Sequence, residues 1–244
     1  MLRLSTYNVL APAYVRASYY PVCTRDALER ETRLPRLVRR IEALDADVLC
    51  LQEVEPGMLS LPGYVGHFLD KRGKPDGCAT YWRGLEVGLQ DELRFADGSG
   101  HVALIVMAVW AGRRIAIANT HLKWDPRETP FTQRYAHRQL TELLEHLREL
   151  DCDGSVICGD LNVAPDDPVL GLLEAAGFRD AFRQAEPSFV ANGRARKIDY
   201  VLCAEGRLKA EPLPVVAIHN ATVLPSTTEP SDHLPLSVDL GWVS

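Results

Sequence analysis

Polar side chains suited to catalysis recur at the ends of short apolar segments along the whole chain of 244 residues. Segments such as 48–51 and 156–158 read as short buried strands. The polar residues at or near the ends of such strands are Asn8, Glu53, His121, Asp160, Asn162, Asp199, Asp232 and His233. Because strand ends of a layered α/β protein converge in space, the pattern predicts an α/β fold with one site at a sheet edge.

Helices alternate with these strands. Apolar residues at helical spacing over 34–44 predict a helix that begins near Thr32, with Pro35 in its first turn. A longer, kinked helix is the alternative. Further helices are predicted from about 132 to 150 and over 167–176. The segments 102–110 and 114–120 predict a β-hairpin.

The composition is that of an ordinary globular protein. Hydrophobic residues make up 46% of the chain and charged residues 25%, which argues against a disordered or fibrous protein. The chain shows no repeat, linker or break in composition, so we expect a single domain over 1–244. The net charge of −6 argues against a broad basic surface for long nucleic acid, but it does not exclude a nuclease that handles one phosphate locally.

The cysteines and the apolar segments indicate the cellular compartment in which we expect the protein. The 6 cysteines include no CxxC pair, and most of them sit in apolar runs, where cysteine usually acts as a small hydrophobe. Neither a transmembrane segment nor a signal peptide is apparent. We therefore expect a reduced, cytoplasmic enzyme with no membrane contact and no obligate protein partner.

The strand-end residues suit phosphate chemistry. They supply acidic oxygens, amides and imidazoles, but no cysteine or serine in a nucleophile elbow. Hard oxygen ligands favour Mg²⁺ or Mn²⁺ over zinc. A bound metal and nearby donors can neutralise the charge of a phosphate while a base activates water. The sequence therefore predicts a metal-dependent phosphoesterase.

The strand-end motifs resemble those of the endonuclease/exonuclease/phosphatase superfamily, in that family's order. They are the segments 7–9 (YNV), 51–53 (LQE), 119–121 (NTH), 159–162 (GDLN), 198–200 (IDY) and 231–233 (SDH). The resemblance implies a four-layer α/β sandwich, in which two packed mixed β-sheets are flanked by helices.

The same resemblance implies a role for each residue. Glu53 would hold Mg²⁺, with Mn²⁺ as a substitute, and Asn8 and Asp232 would help around it. In the catalytic set, Asp160 would orient or deprotonate the attacking water, and Asn162 would hold the scissile phosphate. His121 and His233 would donate to phosphate oxygens. Asp199 would fix the tautomer of His233. Whether Asp160 or His233 is the base stays open at this point.

The segment 74–79 (KPDGCA) is similar to the deadenylase-like (nocturnin/angel-like) branch of the family. We therefore expect Lys74 and Asp76 to contact substrate. Lys123 would meet a phosphate and Trp124 would stack on a base, although Trp124 could instead pack against the start of the next helix.

The branch implies a Mg²⁺-dependent phosphodiesterase, which we expect to be a 3′-exoribonuclease on short RNA or oligo(A) ends. One alternative is a metal-dependent phosphatase acting on a nucleotide or a cyclic phosphate. Another is an exonuclease III-like DNA repair nuclease, which the segment 159–164 also resembles. A binding module without catalysis is disfavoured, because every required metal and base position is present. The expected partner is RNA or a nucleotide-like phosphate.

Overall fold

The structure, a computed structural model, describes residues 1–182 and 186–243. The helices are α1 (Arg25–Leu28), α2 (Arg30–Glu42), α3 (Tyr135–Glu149) and α4 (Leu170–Ala175). The strands are β1 (Leu2–Asn8), β2 (Val48–Val54), β3 (Val65–Asp70), β4 (Gly77–Trp82), β5 (Glu86–Arg94), β6 (Val102–Trp110), β7 (Arg113–His121), β8 (Gly154–Asp160), β9 (Phe178–Asp180), β10 (Phe189–Ala191), β11 (Arg194–Arg196), β12 (Asp199–Ala204), β13 (Leu208–Pro212) and β14 (Leu236–Trp242).

The strands form two large mixed sheets and a small hairpin. The first sheet has the order β13-β14-β1-β2-β4-β3, and the second has the order β5-β6-β7-β8-β12-β9. Each contains one parallel pair, β1 with β2 and β7 with β8, among antiparallel neighbours. Strands β10 and β11 pair separately. The predicted hairpin of β6 and β7 is confirmed.

Side chains alternate across each strand and so build the layers. On β8, Val156 and Cys158 face the first sheet, whereas Ile157 faces the opposite way, into a core formed with α3. On the far side of the first sheet, Leu37 and Ile41 of α2 pack against β2. The layer order is helix, sheet, sheet, helix, which confirms the predicted four-layer α/β sandwich.

Helix boundaries differ from the predictions. Helix α2 begins at Arg30, so Pro35 lies inside the helix and not in its first turn, as in the alternative of a longer helix. Burial of the apolar face of α2 against β2 offsets the backbone hydrogen bond that proline cannot donate. Helix α3 begins only at Tyr135, because a short 3-10 turn over Phe131–Gln133 precedes it. None of the described helices is both long and apolar enough to cross a membrane.

Candidate active site

Strand pairing brings the predicted site residues to one edge of the sandwich. In the first sheet, Asn8 lies opposite Gln52, the neighbour of Glu53, in the parallel pair of β1 and β2. In the second sheet, His121 lies opposite Asp160 in the parallel pair of β7 and β8. The carboxyl ends of both parallel pairs therefore carry the polar residues that the sequence pattern singles out.

Asn8 joins the two sheets at this edge. Its amide nitrogen donates both to Glu53 Oε1, at 3.0 Å, and to Asp160 Oδ2, at 3.0 Å. Its amide oxygen accepts the backbone N–H of Leu10 at 3.1 Å, which sets the orientation of the amide. Asn8 thus faces the carboxylates with a donor and not with an oxygen ligand. These bonds hold the two carboxylates in place, and the place of Asn8 around the metal stays a prediction.

Glu53 lies in β2 at a position where the backbone is strained. Its φ of 58° lies in the left-handed region, which costs a residue with a side chain about 1 kcal/mol, and a β-bulge interrupts the pairing of β2 with β4 at this point. Its Oε2 accepts the backbone N–H of Ala11 at 3.1 Å. Burial raises the pKa of Glu53, and the Lys71 ammonium opposes that shift. The fold therefore holds this carboxylate in one direction at an energetic cost.

Asp160 is 2% exposed and is held through both oxygens. Its Oδ1 accepts the backbone N–H of Asn162 at 3.0 Å, and its Oδ2 accepts from Asn8. Burial raises the pKa of Asp160 to about 7; the His233 charge opposes this shift and the Asp199 charge adds to it. A carboxylate that titrates near neutral pH is suited to accept a proton from water.

His233 is paired with a buried carboxylate. Its Nδ1 donates to Asp199 Oδ2 at 2.9 Å, and the Ser188 hydroxyl donates to the same oxygen at 2.6 Å. Burial alone would lower the pKa of His233, but the Asp199 charge and hydrogen bond raise it to about 10. His233 Nε2 lies 3.7 Å from Asp160 Oδ2. A protonated imidazole donates at both nitrogens, so this geometry favours Asp160 over His233 as the base.

His121 is neutral and faces Asn162. Burial lowers the pKa of His121 well below its usual range, and the Lys71 ammonium, 3.0 Å from Nδ1, adds to the effect. On the other side of the ring, Nε2 lies 3.1 Å from Asn162 Nδ2, which also donates to the Leu122 carbonyl. Lys71 Nζ and Asn162 Nδ2 are both donors, so each ring nitrogen of His121 faces a donor. An anionic oxygen placed beside His121 and Asn162 can accept a ring N–H and the second N–H of the amide.

Asp232 is tied to the loop that follows β1. The Tyr20 hydroxyl donates to Asp232 Oδ2 at 2.9 Å. The neighbouring Ser231 hydroxyl donates to the Asn8 carbonyl at 2.7 Å. These bonds hold the segment of Asp232 against the loop after β1, and the Asp232 charge acts on Glu53.

The acidic residues fit a divalent cation. Asp160, Asp199 and His233 offer ligand atoms within 4.8 Å of one another, but a protonated His233 cannot bind a metal. Glu53 and Asp232 are better suited, because the Asp232 charge contributes to the raised pKa of Glu53. A hard cation between carboxylates relieves such repulsion, and oxygen donors are the ligands that Mg²⁺ and Mn²⁺ prefer.

In the KPDGCA segment, the two residues predicted to contact substrate lie in different surroundings. Asp76 is 1% exposed, and its oxygens accept from the Tyr14 hydroxyl at 2.6 Å and from Lys71 Nζ at 2.7 Å. Asp76 thus has Tyr14 and Lys71 as partners inside the protein, and its substrate contact stays a prediction. Lys74 is exposed on the same loop, where it stays a predicted substrate-binding residue.

The segment after β7 is partly exposed. Trp124 is 55% exposed and Lys123 is half-buried. The backbone N–H of Lys123 donates to Gln139 Oε1 at 3.0 Å, which ties this segment to α3. An indole this accessible favours the stacking interpretation of Trp124 over the packing one.

Sequence reasoning missed several polar groups that hold the site. They are Tyr14, Tyr20, Ser188 and Ser231, whose hydroxyls donate to Asp76, Asp232, Asp199 and the Asn8 carbonyl respectively. The aromatic composition of the loop over 9–25 and the position of Ser231 directly before Asp232 are signals that point to three of them. Ser188 carries no such signal.

Two stacked mixed sheets with carboxylates, amides and histidines buried at their shared edge define a class of phosphoester hydrolases. The sequence profile of the Endonuclease/Exonuclease/phosphatase family matches residues 5–233. The chain belongs to this family of metal-dependent hydrolases, and the predicted resemblance is confirmed.

Relatives place the chain in the deadenylase-like branch. It is 24% identical over 327 residues to human 2′,5′-phosphodiesterase 12, covering 99% of this chain and 52% of that protein. It is 27% identical to human nocturnin, covering 99% of this chain and 65% of that protein. The chain thus spans about half the length of the first of these relatives. The chain is also similar to the structure of ANGEL2, a 2′,3′-cyclic phosphatase, in complex with adenosine-2′,3′-vanadate. The two superpose with a TM-score of 0.83 and 21% identity, over 98% of this chain and 95% of that one. This likeness shows the shared fold.

Proposed function

We propose that this chain is a Mg²⁺-dependent phosphodiesterase that removes nucleotides from the 3′ ends of short RNA, such as oligo(A). The observation that carries the proposal is the contact of His121 Nε2 with Asn162 Nδ2, 3.1 Å apart, which places an imidazole and an amide side by side. They face the same edge as Asp160, a carboxylate that can accept a proton near neutral pH. The kinship with nocturnin and 2′,5′-phosphodiesterase 12 supports a nucleotide substrate.

Each buried group has a task in this proposal. Asp160 takes a proton from the attacking water as the new P–O bond forms; the bond to the leaving ester oxygen breaks, and that oxygen takes up a proton from solvent. Protonated His233, with His121 and Asn162, donates to the phosphoryl oxygens as their charge grows. Glu53 and Asp232 would hold the cation, which supplies electrostatic stabilisation of that charge. Trp124 stacks on a terminal base, and Lys123 and Lys74 meet neighbouring phosphates.

A phosphatase that acts on a 2′,3′-cyclic phosphate or a nucleotide is the second candidate. The fold of ANGEL2, whose structure contains adenosine-2′,3′-vanadate, and the net charge of −6 favour it. A small substrate needs less basic surface than a long polyanion.

A time course on 5′-labelled oligo(A) in Mg²⁺, in Mn²⁺ and in chelator tests the proposal. The same RNA ending in a 2′,3′-cyclic phosphate and a duplex DNA with an abasic analogue run in parallel. A ladder that shortens from the 3′ end and disappears in chelator is expected. Intact oligo(A) with an opened cyclic phosphate would replace the proposal by the second candidate. Cleavage of the DNA alone would indicate a repair nuclease.

Asp199→Asn tests the pairing of His233. Without the carboxylate charge, burial lowers the pKa of His233, so the ring loses the positive charge that it presents to the phosphate. We expect kcat to fall about 10²-fold, the lower bound for a general acid or base, with little change in KM. Initial rates over a range of substrate concentrations measure both. Asp151→Asn, which removes an exposed carboxylate, is the control. An effect confined to KM would contradict the assigned role.

Trp124→Ala tests base stacking. One base stacked on an aromatic ring contributes about 1–3 kcal/mol, so we expect KM for oligo(A) to rise about tenfold while kcat stays the same. Val216→Ala, another exposed apolar residue, serves as the control. An unchanged KM would show that the indole does not contact the substrate.

A further inference from the structure

Lys71 is a buried cation that the catalytic roles above do not use. Lys71 is 3% exposed, and its ammonium donates to Asp76 Oδ2 at 2.7 Å. It also lies 3.0 Å from His121 Nδ1. The Tyr14 hydroxyl completes the group by donating to the other oxygen of Asp76. A buried lysine is rare unless it is paired, and here its second contact is with an imidazole of the proposed site.

The contact with Lys71 decides which nitrogen of His121 carries the proton. A lysine ammonium has donors and no acceptor, and Lys71 forms an ion pair with Asp76. His121 Nδ1 must therefore accept, and the proton of the neutral ring must be on Nε2. The other tautomer would place an N–H against the ammonium. The Nε2–H tautomer places its N–H against the Asn162 amide nitrogen, 3.1 Å away, which is a neutral donor and repels the N–H less than an ammonium does.

The ring of His121 is also held from its backbone side. His101 Nδ1 lies 2.7 Å from the His121 carbonyl oxygen, and the two rings meet edge to face at 5.6 Å. The loop that carries His101 packs on the loop of Lys71, because the Arg72 backbone N–H donates to the Gly100 carbonyl at 3.1 Å. A Cβ added to Gly100 would lie 2.4 Å from the Arg72 carbonyl oxygen, so the two loops fit closely.

We propose that Lys71, held by Asp76, is a positioning residue that fixes the Nε2–H tautomer of His121. The inference rests on the proposed function, in which His121 donates to the phosphoryl group. It also assigns a second task to the KPDGCA segment, whose aspartate holds Lys71. Lys71 itself stays buried and acts through the imidazole.

Nitrogen NMR of protein with ¹⁵N-labelled histidine tests the tautomer directly. The chain has 7 histidines, and the signals of His121 are assigned by their loss in His121→Gln. We expect protonated Nε2 and unprotonated Nδ1 for His121 in the wild type, and a mixture of tautomers in Lys71→Met. A wild-type His121 protonated on Nδ1, or a tautomer that Lys71→Met leaves unchanged, would overturn the inference. This readout needs no substrate, so it is independent of the proposed reaction.

Kinetics supply the second test. Lys71→Met should lower kcat about 10- to 100-fold, as the loss of a partner behind an active-site histidine does, with a smaller change in KM. In a His121→Gln background the same substitution should add less than about twofold, since it acts through the ring. Additive effects of the two substitutions would overturn the inference.

Two further variants keep the test informative. Lys71→Met leaves Asp76 buried without a counter-charge, so the double variant Lys71→Met/Asp76→Asn removes both charges and preserves the fold if the single variant unfolds. Thermal unfolding checks each protein, and the double variant should show the same fall in kcat. A folded double variant with wild-type kcat would overturn the inference. Lys209→Met removes a lysine from an exposed ion pair with Glu211 and is the matched control.

Discussion

Glu53→Gln should abolish nearly all metal-dependent activity. Glu53 supplies a half-buried carboxylate on a strained backbone with a φ of 58°, and the charge of Asp232 acts on it. The amide keeps the shape but loses the negative charge that attracts a cation. If the metal contributes about 4 kcal/mol to the transition state, the rate falls about 10³-fold. Initial rates at saturating Mg²⁺ measure the loss, and Mn²⁺ titration followed by electron paramagnetic resonance measures binding of the ion.

The control for this change lies two residues further along the chain. Glu55 accepts the backbone N–H of Ala13 at 2.7 Å, much as Glu53 accepts that of Ala11. Glu55 differs in that its carboxylate forms an ion pair with Arg30 and has no role in the proposed metal site. Glu55→Gln should therefore retain both activity and Mn²⁺ affinity. Thermal unfolding checks that Glu53→Gln folds, because its amide must face one backbone or side-chain donor. Wild-type Mn²⁺ affinity in Glu53→Gln would contradict the metal assignment.

The layered fold follows from the sequence for a physical reason. An apolar segment that ends in a polar residue, such as the one before Asp160, forms a strand that is buried on both faces. Its polar side chain then lies at the end of the strand, at the edge of the sheet. Parallel pairing of β1 with β2 and of β7 with β8 then places these ends together. The position of the site at a sheet edge could thus be predicted from the order of the motifs.

The partners of the site residues could not be predicted in the same way. Asn8 and Asp160 are 152 residues apart, and only the packing of the two sheets makes the amide nitrogen of Asn8 face the carboxylate. Sequence shows the residue type but not which end of an amide faces the site. Asp76 illustrates the same limit, because its burial depends on Tyr14, which comes from the loop after β1.

Helix α2 shows where local rules yield to packing. Proline at position 35 favours a helix start nearby, yet the helix begins earlier, at Arg30. Arg33 lies on the extra turn and is 1% exposed, with its guanidinium donating to the carbonyls of Val9, Leu10 and Pro230. These bonds tie the loop after Asn8 to the segment before Asp232. A long-range network of this kind has no signature in local sequence.

Asp160→Asn should cause a loss comparable to that of Glu53→Gln, and for a different reason. An amide cannot accept the proton of the attacking water, so we expect kcat to fall about 10³- to 10⁴-fold, near the upper range for general base catalysis. Binding of Mn²⁺ should persist, because Glu53 and Asp232 stay in place. Asp166→Asn changes an exposed aspartate of the following loop, and its rate should match the wild type. Loss of Mn²⁺ affinity in Asp160→Asn would instead make Asp160 a metal ligand.

The pH profile separates the base from a merely structural carboxylate. Burial raises the pKa of Asp160 to about 7, so the protonated form, which cannot accept a proton, predominates below that pH. Wild-type kcat/KM should therefore rise with pH and level off above about 7, with a bound cation moving the inflection lower. His233, with its pKa raised to about 10, stays protonated over the same range and does not produce this acidic limb. The residual activity of Asp160→Asn should lack the limb, because the group that titrates is gone; a limb that survives the substitution would transfer the role of base to another residue.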